Sequence, residues 1–151
     1  MVVWGAPRMN IKTLILALIL WLLAPVAAFA AEVDKFNGTW SGAYRDWSEG
    51  GLVPFEITIR VGEPISDYAA ITGTIVEPAT FGNGESEWLR ATVSGEVRRD
   101  TLAFVKTYDG TGGVSHSVNY QGTLDRDNGL ILGRYTIGSG ESEGFVIWLA
   151  H

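Results

Sequence analysis

Apolar and polar residues alternate with a period of two along most of the chain after residue 38, which is the pattern of half-buried β-strands. One run places Phe55, Ile57 and Ile59 on one face and Glu56 and Thr58 on the other. No stretch of useful length after residue 38 repeats with the period of a helix. We predict eight strands, over residues 39–46, 53–61, 70–77, 89–98, 101–108, 114–124, 130–137 and 143–149.

The segments between these runs are typical of hairpin turns. Two residues separate the fourth and fifth runs, and residues 125–129 and 138–142 are short loops rich in Asp, Asn, Gly and Ser. Consecutive strands joined in this way pair antiparallel. Eight of them in succession favour an all-β fold, an eight-stranded antiparallel up-and-down β-barrel, because closure removes the exposed strand edges. A two-sheet sandwich of the same strands is the alternative.

Glycine occupies the central inward position in five of the eight runs. Glycine weakens a strand, so each position needs a reason. One reason is crowding and bending, because a narrow barrel has no room for a full side chain at every inward position. The other reason is space for a ligand at mid-depth, and we favour the first because protein interiors pack densely. The five positions are Gly42, Gly73, Gly95, Gly122 and Gly133.

The first 30 residues have the layout of a signal peptide. Lys12 precedes an apolar run over 14–23, and small residues ending in Ala30 form a cleavage pattern before Ala31. We expect 1–30 to be a signal peptide helix, 31–151 to be the β-barrel domain, and the mature protein to be periplasmic or secreted. An uncleaved membrane anchor is the alternative, because the apolar residues almost reach the length of a spanning helix.

Composition removes several classes of partner. Residues 1–30 contain two basic residues and no acid, so the rest of the chain has 9 basic and 17 acidic residues and a net charge of −8. Such a chain lacks the basic surface that nucleic acids and anionic membranes require, so we expect no nucleic-acid partner. The chain contains no cysteine, and therefore no disulfide. The polar outward positions also argue against a transmembrane barrel, whose outer surface is apolar.

The sequence gives little support for catalysis. There are two histidines, of which His151 is the last residue, and there is no nucleophile motif. Neither the histidines nor the scattered acids have the spacing of a metal site. We therefore expect a protein that is not an enzyme and that uses no cofactor and no metal ion.

Strand direction assigns each inward residue to one end of the barrel. We call the end that the first strand reaches the top. The bottom is apolar, and we expect Trp40 to fill it. The top is aromatic and ionisable, and the long glycine-bearing loop over 77–88 is a predicted lid above it. The predicted ligand-binding residues at the top are Tyr44, Asp46, Glu77, Lys106, Tyr108, His116 and Tyr135.

Lys106 needs a partner because an unpaired buried charge is costly. One interpretation is a structural ion pair with Asp46 or Glu77, or a side chain that reaches the rim. The other is an anchor for an anionic ligand. We favour the structural interpretation, and we hypothesise that Lys106, Tyr44, Tyr108 and Tyr135 converge beneath the lid.

Several short motifs resemble the calycins, the superfamily that contains avidins and lipocalins. They are the Gly-Thr-Trp start at 38–40, ITGTI at 71–75, the lysine-containing strand at 102–109 and the hairpin at 120–129. The avidin branch is the most similar in length and strand spacing. The resemblance implies an eight-stranded barrel with a ligand site at one mouth, in a secreted bacterial family. Biotin binding is not implied, because Gly42, Leu102 and Phe104 stand where avidins place ligand-binding groups.

Three functions remain open at this point, of which enzymatic use of the residues at the top is the least favoured. The first is a non-enzymatic binding protein that holds a small, partly apolar ligand at the top. The second is a protein-binding or inhibitor module with a solid interior, which binds through its loops and residues 32–37. A cavity of about a few hundred Å³ at the top would distinguish the first from the second.

Overall fold

A computed structural model describes residues 28–46, 50–140 and 142–150 and shows a closed barrel of eight antiparallel strands. Each strand pairs with the next, and β1 pairs with β8 to close the barrel. The predicted up-and-down barrel is therefore confirmed, and the sandwich is excluded. The strands are β1 (Gly38–Arg45), β2 (Leu52–Val61), β3 (Ala69–Pro78), β4 (Trp88–Arg98), β5 (Thr101–Tyr108), β6 (Ser117–Asp125), β7 (Leu130–Thr136) and β8 (Ser142–Leu149).

The start of β6 differs from the prediction by three residues. The predicted strand begins at 114, but a short 3-10 turn occupies Thr111–Gly113 and the strand begins at Ser117. Val114 is buried, so it continues the apolar alternation without belonging to the ladder. At the other end of the chain, Leu149 is the last residue of β8 and is exposed.

The bottom of the barrel is closed by the segment that precedes β1. Residues 28–34 are helical, and Val33 and Phe36 are buried in the core. The Nε1 of Trp40 donates a hydrogen bond to the Phe36 carbonyl oxygen, 3.1 Å away. Trp40 is buried, as predicted for a side chain that fills this end. Residues 1–27 of the expected signal peptide lie outside the described residues.

Two of the inward glycines lie under phenylalanine rings. A Cβ on Gly42 would be 2.4 Å from the Cζ of Phe55, and a Cβ on Gly133 would be 2.6 Å from the Cε1 of Phe145. Both distances are shorter than a non-bonded carbon contact allows. The space above these glycines is therefore filled by neighbouring rings.

Gly73 and Gly95 lie against the backbone of an adjacent strand. A Cβ on Gly73 would be 2.0 Å from the Thr58 carbonyl oxygen, and one on Gly95 would be 2.1 Å from the Ala103 carbonyl oxygen. Glycine lets the strands approach and bend at these positions. Crowding and bending thus account for these four glycines, as the sequence analysis favoured.

The outer wall is less uniformly polar than the sequence analysis expected. The outward residues of β6 are polar, but Leu132, Val146 and Ala43 are cross-strand neighbours on β7, β8 and β1. Trp148 on β8 is also partly exposed. Among the described residues, no helix is long and apolar enough to cross a membrane.

Candidate functional site

A cavity of about 250 Å³ lies at the top of the barrel. Five of the seven predicted site residues line it, and the other two, Glu77 and Lys106, lie beneath it in the core. The five belong to strand ends or loops that meet at the top, because successive strands run in opposite directions. They are Tyr44, Asp46, Tyr108, His116 and Tyr135.

Five further lining residues were not assigned to the site from the sequence. Val118 and Tyr120 lie on the inward face of β6, which begins at the top, so strand direction could have placed them. Thr80 and Phe81 belong to the β3–β4 loop, where an aromatic residue among glycines and acids was the available signal. Ile137 follows β7 and lies at the mouth.

The β3–β4 loop is held against the loop that precedes β6. The backbone N–H of Asn83 donates a hydrogen bond to the Gly112 carbonyl oxygen, 2.8 Å away. Gly82 has a φ of 108°, and a Cβ there would be 2.5 Å from the same oxygen. Glycine at 82 therefore permits both the backbone conformation and the close approach. This contact holds the loop so that Phe81 lies at the edge of the cavity.

Aromatic rings form most of the cavity wall. The Tyr44 and Tyr135 rings meet nearly at right angles with centroids 5.4 Å apart, and Tyr120 stacks on Tyr135 at 5.5 Å. On the other side, Phe81 meets Tyr108 at 5.8 Å and 87°. Such rings offer a ligand large apolar surfaces in fixed positions.

Lys106 and Glu77 form an ion pair below this aromatic wall. The distance from Lys106 Nζ to Glu77 Oε2 is 2.5 Å, and the two side chains are 1% and 0% exposed. Lys106 Nζ also donates to the Tyr108 hydroxyl at 2.7 Å. Of the two acids considered from the sequence, Glu77 is therefore the partner, and Lys106 is not among the residues that line the cavity.

Tyrosine hydroxyls complete the hydrogen bonding of Glu77. Tyr108 and Tyr44 both donate to Glu77 Oε1, the latter over 3.3 Å. The Tyr135 hydroxyl donates to the Arg45 carbonyl oxygen at 2.6 Å. Within the described ranges, every buried side-chain nitrogen or oxygen has a partner. Tyr44, Tyr108, Tyr135 and Lys106 thus converge at the top of the barrel.

Burial shifts the ionisation of this network. It raises the pKa of Tyr108 and of Tyr44 above the usual tyrosine value, and the negative charge of Glu77 adds to both shifts. Burial lowers the pKa of Lys106, while Glu77 acts in the opposite direction. The tyrosines therefore remain protonated donors at neutral pH.

Tyr120 differs from the other cavity tyrosines. Its ring is buried and stacks on Phe104 with centroids 4.8 Å apart. The Tyr120 hydroxyl has no hydrogen-bond partner among the described residues. Every side-chain oxygen of those residues that is fully buried does have a partner, so the Tyr120 hydroxyl is not fully buried. The Tyr120 hydroxyl is therefore accessible from the cavity, where it can donate to or accept from a ligand.

In residues 28–46, 50–140 and 142–150, no three acidic or histidine side chains are close enough together to hold a metal ion.

Comparison with known proteins adds evidence for the fold alone. No family model and no curated protein matches the chain. Among solved structures, the chain is similar to a redesigned beta barrel, with 20% sequence identity and a TM-score of 0.52. The match covers 80% of this chain and 96% of the designed one. At this identity the likeness supports the barrel and carries no functional information.

Proposed function

We propose that this protein is a non-enzymatic binding protein that holds a small, partly apolar ligand in the cavity at the top of the barrel. The observation that carries the proposal is the aromatic cavity of about 250 Å³ at the end that strand direction indicated. Pockets for drug-sized molecules have volumes of about 300–1,000 Å³. Because this cavity is smaller, its ligand is smaller than a drug-sized molecule. A calycin-like barrel that binds at one mouth is part of the same proposal.

The arrangement of ionisable groups supports binding over catalysis. Glu77 and Lys106 are paired with each other below the cavity, so neither is placed to exchange a proton with a ligand. His116 lines the cavity, and its ring contacts Tyr108 with centroids 4.9 Å apart.

We further propose that the protein acts in the periplasm or outside the cell after removal of residues 1–30. The barrel keeps its bottom closure after such cleavage, because Val33 and Phe36 follow the cleavage position. The pairs Lys35–Asp100 and Arg126–Glu32 also remain, and they attach the segment to the bottom turns. N-terminal sequencing of the exported protein tests this, with Ala31 as the expected first residue and an intact leader as the contrary result.

The alternative of a protein-binding module with a solid interior has less support. The cavity at the top is the feature expected of a small-ligand carrier. In the segment 32–37, which that alternative uses for binding, Val33 and Phe36 are buried in the core. We therefore keep the carrier as the proposal.

Native mass spectrometry of the protein purified from its own compartment tests the proposal. Ile137 at the cavity mouth is 42% exposed, and Leu132 on the outer wall is 50% exposed. Ile137→Trp should narrow the mouth, while Leu132→Trp adds the same ring away from it. We expect a bound small molecule on the wild type and on the Leu132→Trp protein and its loss from the Ile137→Trp protein. Retention by Ile137→Trp, or no bound molecule on any of the three, would contradict the proposal.

A further inference from the structure

We infer that the ligand of this cavity is a small organic cation with an alkylated ammonium group. The inference rests on the proposed function and adds the charge class of the ligand. Its basis is the combination of an aromatic wall and the absence of lysine and arginine among the described lining residues.

The geometry of the rings suits a cation. The Tyr44 and Tyr135 planes differ by 72°, and those of Phe81 and Tyr108 differ by 87°. A group in the angle between two such rings meets the face of one and the edge of the other. The face of an aromatic ring attracts a cation, and alkylated ammonium groups are recognised in this way.

An anion would find no charged partner in the cavity. Lys106 Nζ is bound to Glu77 and Tyr108, and the Lys106 side chain is almost completely buried below the cavity. The described lining residues include no lysine and no arginine. An anionic ligand would therefore lack the charged partner that a buried anion needs.

The network below the cavity already contains an ammonium group against aromatic rings. Lys106 Nζ lies 4.3 Å from the centroid of Tyr108 and 5.3 Å from that of Tyr44. Its charge is compensated by Glu77 at 2.5 Å, so repulsion of a second cation is reduced.

The Tyr120 hydroxyl provides a neutral polar contact for the same ligand. It is accessible from the cavity and has no other described partner. A ligand that combines an alkylated ammonium group with a hydroxyl or carbonyl oxygen would satisfy both features. Choline has this combination and is small enough to serve as a probe.

Three probes of the same shape separate charge from size. They are choline, its neutral carbon isostere 3,3-dimethyl-1-butanol, and the anion 3,3-dimethylbutanoate. Titration of the full chain by calorimetry, with chemical-shift changes at the cavity residues to locate binding, should show choline binding about 3- to 30-fold more tightly than the alcohol. The anion should bind most weakly.

The outcomes distinguish the inference from the proposed function. If the alcohol or the anion binds as tightly as choline, the charge class is wrong while small-ligand binding stands. If none of the three binds, the inference is overturned, and the ligand retention of Ile137→Trp decides the proposed function separately.

A pair of variants tests the role of the rings. Phe81→Leu removes a ring at the cavity edge, and Trp148→Leu is the matched control on the outer wall, since both residues are 39% exposed. Phe81→Leu should reduce the preference for choline over the alcohol by about 2- to 5-fold, and Trp148→Leu should leave it unchanged. If Phe81→Leu weakens the binding of choline and of the alcohol by the same factor, the ring does not contribute to the preference for a cation.

Discussion

Lys106 Nζ lies 2.5 Å from Glu77 Oε2, and neither side chain has appreciable contact with solvent. The pair joins β5 to the end of β3 across the inside of the barrel. A buried pair contributes little net stability compared with an apolar pair, but loss of one partner leaves a buried charge without compensation. The two members should therefore be replaceable together and not singly.

Lys106→Met should reduce the free energy of unfolding by about 3–5 kcal/mol, because Glu77 is left buried and unpaired. The double variant Lys106→Met, Glu77→Gln should regain most of this loss, since the glutamine side chain is neutral and its carbonyl oxygen still accepts the tyrosine hydroxyl bonds. Urea unfolding measures both. A single variant as stable as the wild type would show that the pair does not form.

Three tyrosines should ionise only when the barrel unfolds. Burial raises the pKa of Tyr44, Tyr108 and Tyr120, so the folded state keeps protons that the unfolded chain releases above about pH 10. The free energy of unfolding should therefore fall as pH rises beyond that value. The lowered pKa of Lys106 has the opposite effect, because it makes the free energy of unfolding rise with pH. This effect ends above pH 10.5, the ordinary pKa of lysine, where the unfolded chain has also lost the proton.

Tyrosinate absorbance during alkaline titration measures this directly. The tyrosinate absorbance of the three buried tyrosines should rise at the same pH at which the circular dichroism signal of the folded protein is lost. Tyr108→Phe should remove one of them. Ionisation of all five tyrosines of the chain while the barrel remains folded would contradict the burial of the network.

Trp40→Ala should reduce the free energy of unfolding by about 3–5 kcal/mol, the usual cost of removing a buried aromatic ring. Trp88 is half exposed, so Trp88→Ala should change stability by less than about 0.5 kcal/mol. Denaturant unfolding measures the stability of both variants. A loss below about 1 kcal/mol for Trp40→Ala would show that the bottom of the barrel is not closed by this ring.

The loss of stability on substitution of a glycine by alanine should depend on whether a side chain or the backbone lies next to the added methyl group. Gly42→Ala pushes a methyl group into the Phe55 ring and should cost about 1–3 kcal/mol. The double variant Gly42→Ala, Phe55→Leu should relieve part of that clash, because leucine lacks the ring that the added methyl group would meet. Gly51→Ala is the control, since nothing lies within 4 Å of the added carbon.

Gly73→Ala places its Cβ against the Thr58 carbonyl oxygen, so no side-chain change should rescue it. We expect a larger loss of stability than for Gly42→Ala. Thermal unfolding of the four variants ranks them. Equal stability of the Gly73→Ala and Gly51→Ala proteins would contradict the close approach of β2 and β3.

The strands and their inward faces could be predicted because both depend on a local period of two. Tyr44, Tyr108 and Tyr135 were placed at the top from strand direction, and they line one cavity. Local pattern could not decide between Asp46 and Glu77 as the partner of Lys106. That choice depends on the stagger of the strands around the barrel, which no single strand encodes.

The loop residues of the site were the hardest to predict. Phe81 lies at the cavity because its loop binds the backbone of Gly112, a contact between segments with no periodic pattern. Tyr120 shows the other difficulty. Its inward direction followed from alternation, but the accessibility of its hydroxyl depends on how the surrounding rings pack.

The pairing of β1 with β8 makes the cavity a product of the completed chain. Tyr44 is the cross-strand neighbour of Phe145, so a wall residue of the cavity is held from the far end of the sequence. Contacts between distant segments form late, because a long loop must close first. A chain stopped before β8 has the cavity residues but an open wall and no enclosed space. Under the proposed function, ligand binding requires the completed barrel, so a refolding chain should regain it only after β8 has paired with β1.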